Sequence, residues 1–221
     1  MFFKKRIMPW EFDNKNLKKS VEKKTKVQLM LEFLDPKASL KILEIGTAAG
    51  ETTKQILEQL IKNEASTLYA FDPFVDYPDK NKRNHESVYD AFMRKNKNAI
   101  QNNKLIFKRE YSFNGLINLY CDNHKNTFDL VMIDGDHRAR YVLEDFLFSL
   151  KLIKKNGYLM FDDYHWFPSI KKNRIEGYKK INSVPKERIP KYAIEFLVNL
   201  SSDIRYVGAA NNYNVLMFQK I

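Results

Sequence analysis

Residues 40–53 read LKILEIGTAAGETT and form the segment that decides the fold. The apolar run over residues 40–45 lacks helical spacing and predicts a short buried strand. Gly46 ends this run, and Gly50 opens a stretch whose apolar residues at 56, 57, 60 and 61 lie on one helical face. The segment therefore predicts a strand, a glycine turn and a helix, which is the βα unit of nucleotide-binding sheets. In such a unit the helix N-terminus presents free N–H groups to an anionic ligand.

The spacing of the glycines favours one kind of ligand over another. A dinucleotide site requires G-x-G-x-x-G, whereas Ala48 replaces the second glycine here and the pattern runs E-x-G-x-x-x-G from Glu44 to Gly50. This pattern resembles motif I of the class I S-adenosylmethionine (SAM) methyltransferases. A second apolar run, TLYAF over residues 67–71, ends at Asp72. An acid at the end of the second strand of such folds binds ribose hydroxyls, and we expect this of Asp72.

Composition sets limits on the class of protein. A chain of 221 residues with 44% hydrophobic residues suits one domain, here 1–221 with 1–36 as an N-terminal helical extension. No stretch approaches the roughly 20 apolar residues of a membrane span, and the opening MFFKKRI lacks the apolar region of a signal peptide. A single cysteine, Cys121, excludes an internal disulfide, and we expect its side chain to pack within a helix. The absence of a disulfide favours a reducing, cytoplasmic setting.

The net charge of +11 raises the question of a nucleic-acid partner. The basic residues are mainly lysines scattered along the chain, and no arginine-rich tract is interleaved with aromatic residues. We therefore expect a solvated, lysine-rich surface rather than a nucleic-acid interface.

The remaining pattern predicts alternating helices and strands. A helix is predicted over residues 14–34 and ends at Asp35-Pro36. We expect Lys26 and the other lysines of this helix to face solvent. The helix would cover either the sheet edge or the active site. A long loop is expected over 73–87, and KKNG at 154–157 is expected to end a helix. Further helices are predicted near 88–97, 112–122, 141–152 and 190–201, and strands at 105–108, 128–133, 157–161, 204–210 and 213–219.

Repeated βα units indicate a parallel sheet with helices on both faces. The last two strands are joined by only a few residues, and so short a connection requires an antiparallel pair. The predicted fold is an α/β, Rossmann-like, seven-stranded, mostly parallel sheet with an antiparallel C-terminal hairpin.

Acidic residues follow several of the predicted strands, namely Asp72, Asp134, Asp162 and Asp163. Ligands of open parallel sheets bind at the carboxyl ends of the strands. Carboxylates meeting there repel one another unless a positive charge joins them, and a hard divalent cation such as Mg²⁺ prefers such oxygens. The alternative is that these acids are solvated loop residues and helix caps. Side chains splayed apart, or a lysine ammonium lodged between the carboxylates, would end the proposal of a shared ion.

The order and spacing of these motifs resemble the metal-dependent O-methyltransferases, in particular the macrocin-type branch that acts on sugars, and more distantly catechol O-methyltransferase. The resemblance covers about residues 40–164 and includes IDGDHR from residue 133 and KKNGYLMFDDY ending at residue 164. It implies that Asp134, Asp162 and Asp163 bind the metal and that His137 is the general base. Asp136 is the competing candidate for the base, and His137 could instead cap the following helix.

The same resemblance implies a SAM site. Its residues would be Glu44, Gly46, Thr47 and Gly50 around the methionine moiety, Thr52 at the carboxylate, Asp72 at the ribose, Ser112 at the adenine, and Asp134. A helix N-cap explains Ser112 equally well.

The mechanism that follows is methyl transfer to a sugar or other small hydroxyl acceptor polarised by the metal, with His137 accepting the proton. Residues 164–167 would wall the acceptor pocket or pack in the core. The rivals are a metal-independent nucleic-acid 2′-O-methyltransferase and a non-catalytic SAM-binding module. A homo-oligomer is compatible with all three.

Overall fold

The computed structural model describes residue 8 and residues 21–75, 84–166 and 189–221. Within these residues one sheet contains seven strands in the order β3-β2-β1-β4-β5-β7-β6. The strands are β1 (Lys41–Ile45), β2 (Thr67–Phe71), β3 (Leu105–Lys108), β4 (Phe128–Ile133), β5 (Ile153–Phe161), β6 (Ile204–Ala210) and β7 (Val215–Lys220). The helices are α1 (Lys26–Leu31), α2 (Glu51–Gln59), α3 (His85–Gln101), α4 (Ser112–Cys121), α5 (Ala139–Leu152) and α6 (Pro190–Leu200).

Strands β1 to β5 run parallel, and β7 pairs antiparallel with both β5 and β6. The predicted α/β fold with a C-terminal hairpin is therefore confirmed. Among the described residues, no helix is both long and apolar enough to cross a membrane.

The register aligns the carboxyl ends of four neighbouring strands. Ile45 of β1 pairs with Phe71 of β2 and with Ile133 of β4, and Ile133 pairs with Phe161 of β5. The residues that directly follow these four strands therefore lie side by side along one edge of the sheet. They are Gly46, Asp72, Asp134 and Asp162.

Helices cover both faces of the sheet, as strand β4 shows most clearly. All six of its residues are buried, and its side chains alternate between two separate apolar clusters. Val131 and Ile133 pack in one cluster, and Leu130 and Met132 pack in the other. A strand that is apolar on both sides is typical of a parallel sheet between two helical layers.

The predicted N-terminal helix over residues 14–34 is not continuous. Residues 21–23 are helical, the helix breaks at residues 24–25, and α1 begins at Lys26. Thr25 caps α1 in a reciprocal capping box with Gln28, while the carbonyl of Lys24 accepts the backbone N–H of Asn211. The break is thus fixed by hydrogen bonds to the β6–β7 turn. Residues 14–20 of the prediction lie outside the described residues.

Three other expectations are corrected. The KKNG segment at 154–157 does not end a helix but belongs to β5. The pairing of β5 with β4 shifts register there across a bulge, and Asn156 adopts φ 64°. Helix α3 begins at His85, earlier than the predicted residue 88, because Asn84 caps it through the N–H of Ser87. Cys121 is exposed rather than packed. Residues 76–83 of the predicted loop lie outside the described residues.

Candidate functional site

The glycine turn after β1 adopts a backbone that requires glycine. Gly46 has φ 85° and Gly50 has φ 78°, both in the left-handed region. A Cβ added to Gly46 would lie 2.3 Å from the carbonyl oxygen of Asp134, so the turn passes directly against the backbone that follows β4. Gly50 is the N-cap of α2 and supplies no side-chain hydrogen bond. The first N–H groups of α2 are therefore not capped by its side chain, and a helix end of this kind favours an anion.

Asp72 is bound to this turn by backbone hydrogen bonds. Its Oδ2 accepts the N–H groups of Thr47 and Ala48, each at 2.9 Å, and its Oδ1 accepts the N–H of Phe74 at 2.8 Å. The carboxylate thus joins the ends of β1 and β2. Its Oδ2 also accepts the hydroxyl of Thr47 at 3.5 Å, whereas among the described residues its Oδ1 accepts only the N–H of Phe74, so Oδ1 retains capacity for a ribose hydroxyl. Its role at the ribose stays a prediction.

Glu44 is fully buried under the turn. Its Oε2 accepts the hydroxyl of Thr53 at 2.6 Å, and its Oε1 has no hydrogen-bond partner among the described residues. Burial raises the pKa of Glu44 to about 7, against the hydrogen bond from Thr53 and the charge of Lys26. An unpartnered buried oxygen is costly, and a ligand donor reaching this point would satisfy it.

Two further candidates for the cofactor site lie at helix starts on the same edge. Thr52 is in the first turn of α2 and is half-buried. Ser112 begins α4, and its hydroxyl hydrogen-bonds the carboxyl of Asp145, a buried residue of α5. Ser112 therefore connects two helices, which the sequence did not indicate. Its contact with adenine stays a prediction.

The acidic cluster after β4 and β5 contains a lysine. The ammonium Nζ of Lys26 lies 2.7 Å from Oδ2 of Asp134 and also forms an ion pair with Oδ2 of Asp162. Burial lowers the pKa of Lys26, but the charges of the two aspartates outweigh this effect and raise it above its ordinary value. The expectation that Lys26 faces solvent is wrong, because the break at residues 24–25 lets α1 start over the carboxyl edge.

His137 and Asp163 form the second half of the cluster. Nε2 of His137 lies 3.0 Å from Oδ2 of Asp163, and the amide of Asn214 donates to Oδ1 at 2.9 Å. Burial alone would raise the pKa of Asp163, but the hydrogen bonds from His137 and Asn214 and the charge of His137 lower it to about 2. The ring of Trp166 lies 5.2 Å from that of His137, centroid to centroid.

Three side chains of the cluster offer ligand atoms that suit a divalent cation. Asp134, His137 and Asp163 each offer a ligand atom, and these atoms lie within 4.8 Å of one another. Oδ1 of Asp162 is buried and lacks a hydrogen-bond partner among the described residues. The donors therefore suit a cation, but the ammonium of Lys26 occupies the position between Asp134 and Asp162 where a shared ion was expected. In this arrangement Lys26 excludes an ion shared by Asp134 and Asp162. The three-aspartate ligand set therefore stays a prediction, for a state in which the side chain of Lys26 has moved.

The other predicted residues separate into distinct environments. Asp136 forms a two-pronged ion pair with Arg138, whose Nε lies 3.0 Å from both carboxylate oxygens. Tyr164 is buried and donates its hydroxyl to Glu195 at 2.8 Å, so it packs in the core, whereas Trp166 adjoins the cluster. Phe167 lies outside the described residues.

The strand order 3-2-1-4-5-7-6, with a glycine turn after β1, is that of a class I methyltransferase fold. Comparison with known families agrees, since the model of the methyltransferase domain family matches residues 43–164. The chain therefore belongs to the methyltransferase domain family.

Individual relatives are distant. An uncharacterized protein of Acanthamoeba polyphaga mimivirus, R132, is 29% identical over 138 residues, which are 61% of this chain and 57% of that protein. The chain thus matches little more than half the length of this curated relative.

Solved structures share the fold at low identity. An O-methyltransferase from Bacillus cereus in complex with SAH superposes with a TM-score of 0.59 at 14% identity, covering 95% of this chain and 92% of that one. A Corynebacterium glutamicum protein gives 0.54 at 15% identity, covering 87% and 79%.

Proposed function

We propose that this chain transfers the methyl group of SAM to a hydroxyl oxygen of a small acceptor. The observation that carries the proposal is that the glycine turn passes directly against the backbone of Asp134, a residue of the acidic cluster, since a Cβ on Gly46 would lie 2.3 Å from its carbonyl oxygen. A ligand bound on the turn would have its reactive end beside the carboxylates and the imidazole of His137. Holding two reactants in line can supply on the order of 7–11 kcal/mol of the barrier to methyl transfer.

The residues proposed to hold SAM all lie on the carboxyl edge. SAM supplies an electrophilic methyl group, which an oxygen nucleophile attacks in line. The uncapped start of α2 favours the anionic methionine carboxylate, and the unpartnered Oε1 of buried Glu44 is an acceptor for its ammonium group. The proposed set is Glu44, Gly46, Thr47, Gly50, Thr52, Asp72, Ser112 and Asp134.

His137 is the proposed general base. Its Nε2 lies 3.0 Å from Oδ2 of Asp163, and this contact orients the ring so that Nδ1 would be the nitrogen that accepts the hydroxyl proton. Asp136 is the weaker candidate because its carboxylate is paired with Arg138.

A divalent cation such as Mg²⁺ is part of the proposal, with Asp134, Asp162 and Asp163 as its ligands. When bound, it would polarise the acceptor hydroxyl and lower its pKa. Carboxylate oxygens of Asp134 and Asp163 lie within 4.8 Å of each other, which supports a cation at this place. A sugar or glycan acceptor rests on the resemblance to the macrocin-type enzymes, and oxygen as the methylated atom is supported by the Bacillus cereus structural neighbour.

The test is a methyl-transfer assay with isotopically labelled SAM and a panel of sugars, nucleotide-linked sugars, phenols and RNA. We expect transfer to a small hydroxylated acceptor with Mg²⁺ and loss of transfer with EDTA. Asp162→Asn should retain SAM binding by calorimetry and lose turnover. EDTA-resistant transfer to RNA would favour a nucleic-acid 2′-O-methyltransferase, and SAM binding without transfer to any acceptor would favour a binding module.

A further inference from the structure

We infer that Lys26 is an internal cation that competes with the divalent cation for Asp134 and Asp162 and thereby lowers the metal affinity of the site. The inference depends on the proposed function only for the identity of the competing cation. Its basis is the position of one ammonium group between two strand ends.

The ammonium group of Lys26 lies inside the acidic cluster, between two of its carboxylates. Its Nζ forms ion pairs with Oδ2 of Asp134 and with Oδ2 of Asp162, and its side chain is 22% exposed. One ammonium therefore bridges the aspartates that follow β4 and β5. A metal ion bound by the same two oxygens would have to lie where the ammonium lies, so the two cations exclude each other.

The balance of charge shows why this occupant can be displaced. Asp134, Asp162 and Asp163 bring three carboxylates together, and Lys26 pairs with only two of them. The side chain of Asp162 is 8% exposed, and its Oδ1 lacks a hydrogen-bond partner among the described residues. The ammonium of Lys26 is bound to Oδ2 and leaves Oδ1 of Asp162 without a partner in the part of the chain that the structure describes. A divalent cation carries twice the charge and could bind Oδ1 as a ligand.

The position of Lys26 in the chain makes withdrawal possible without unfolding. It is the first residue of α1, a helix of six residues, and Thr25 caps this helix through its own side chain. The capping box and the ion pair between Lys24 and Glu32 therefore hold the backbone independently of Lys26. Rotation of the flexible four-carbon stem would release both aspartates.

The experiment measures Mn²⁺ binding to the full chain by electron paramagnetic resonance, without acceptor or turnover. We expect Lys26→Met to bind Mn²⁺ at least tenfold more tightly than the unmodified chain. Lys26→Arg should bind it as weakly as the unmodified chain because the cation is retained. The matched control is Lys23→Met, an exposed lysine on the same segment, and it should have no effect.

Two further measurements locate the effect. Asp162→Asn in the Lys26→Met background should abolish the gain, which places the ion at the same carboxylates. Circular dichroism and a cooperative thermal transition establish that each variant is folded, and if Lys26→Met does not fold, Lys26→Gln takes its place in the same comparison. Equal Mn²⁺ affinity of the folded lysine variant and the unmodified chain would overturn the inference. A tenfold gain in a chain that methylates no acceptor would uphold it while removing the proposed function.

Discussion

The ammonium nitrogen of Lys26 lies 2.7 Å from Oδ2 of Asp134, although 108 positions separate the two residues in the sequence. This contact makes the short helix α1 part of the site rather than a cover for the sheet edge. The orientation of α1 should therefore affect both the stability of the chain and the occupancy of the acidic cluster.

Removal of the α1 cap tests this dependence. Thr25→Ala deletes the side chain that accepts the N–H of Gln28 at 3.1 Å, and loss of such a cap costs about 0.5–2 kcal/mol. We expect a decrease of this size in the free energy of unfolding, measured by urea denaturation. Thr25→Ser keeps the hydroxyl and should remain within about 0.5 kcal/mol of the unmodified chain. Equal stability of the alanine and serine variants would show that the cap is not needed.

The glycine turn should tolerate no side chain at its first position. Gly46→Ala places a Cβ 2.3 Å from the carbonyl oxygen of Asp134 at φ 85°. The left-handed backbone costs about 1–2 kcal/mol and overpacking about 1–3 kcal/mol more, so thermal unfolding should occur at a much lower temperature. SAM binding, measured by calorimetry, should be lost.

The control lies on the opposite side of the same contact. In Gly135→Ala the nearest atom to the new Cβ is the Cγ2 of Ile45 at 3.3 Å, a side-chain contact that requires a displacement of only a few tenths of an ångström. We expect a much smaller change in unfolding temperature than for Gly46→Ala. Similar losses in both variants would mean that the crowding at Gly46 is not specific.

Local patterns were sufficient to predict most of the sheet. The bounds of β2, β3, β4 and β6 agree with the structure because each is an apolar run limited by turn residues. The short link before β7 required an antiparallel pair, and the glycine and aspartate positions placed the candidate site on the carboxyl edge. These features depend on neighbours within a few residues, where spacing carries the information.

The features that could not be predicted depend on distant contacts. Lys26 reads as one lysine of a solvated helix face, and only the fold brings it to Asp134 and Asp162. The break before α1 depends on a bond between Lys24 and the turn after β6. Likewise, the KKNG segment has the composition of a helix end, and its place in β5 is fixed by pairing with β4.

Asp145 should give the stability of the chain a measurable pH dependence. Burial raises its pKa from 3.8 to about 7, the hydrogen bond from Ser112 opposes this, and the charges of Glu144 and Asp136 add to it. Between these two pH values the folded state holds a proton that the unfolded state has released. The free energy of unfolding therefore falls as pH rises toward 7, by at most about 1.4 kcal/mol per pH unit.

Asp145→Asn removes this titration while preserving the shape of the side chain. The free energy of unfolding of the variant minus that of the unmodified chain should increase by about 2 kcal/mol from pH 5 to pH 7. Urea denaturation at each pH measures this difference. Asp90→Asn, an exposed substitution on α3, is the control and should leave the pH profile unchanged. A profile for Asp145→Asn parallel to that of the unmodified chain would contradict the prediction.

The identity of the general base can be decided by two conservative substitutions in adjacent residues. Nε2 of His137 lies 3.0 Å from Asp163 inside the acidic cluster, whereas the carboxylate of Asp136 is paired with Arg138. With the acceptor found in the panel, His137→Gln should lower kcat by about 10²–10⁴-fold and leave the SAM affinity unchanged, because only the proton acceptor is lost. Asp136→Asn, which keeps the imidazole in place, should lower kcat by less than about tenfold, since the group it removes acts on Arg138 rather than on the acceptor. The opposite ranking, with SAM binding intact in both variants, would assign the base to Asp136.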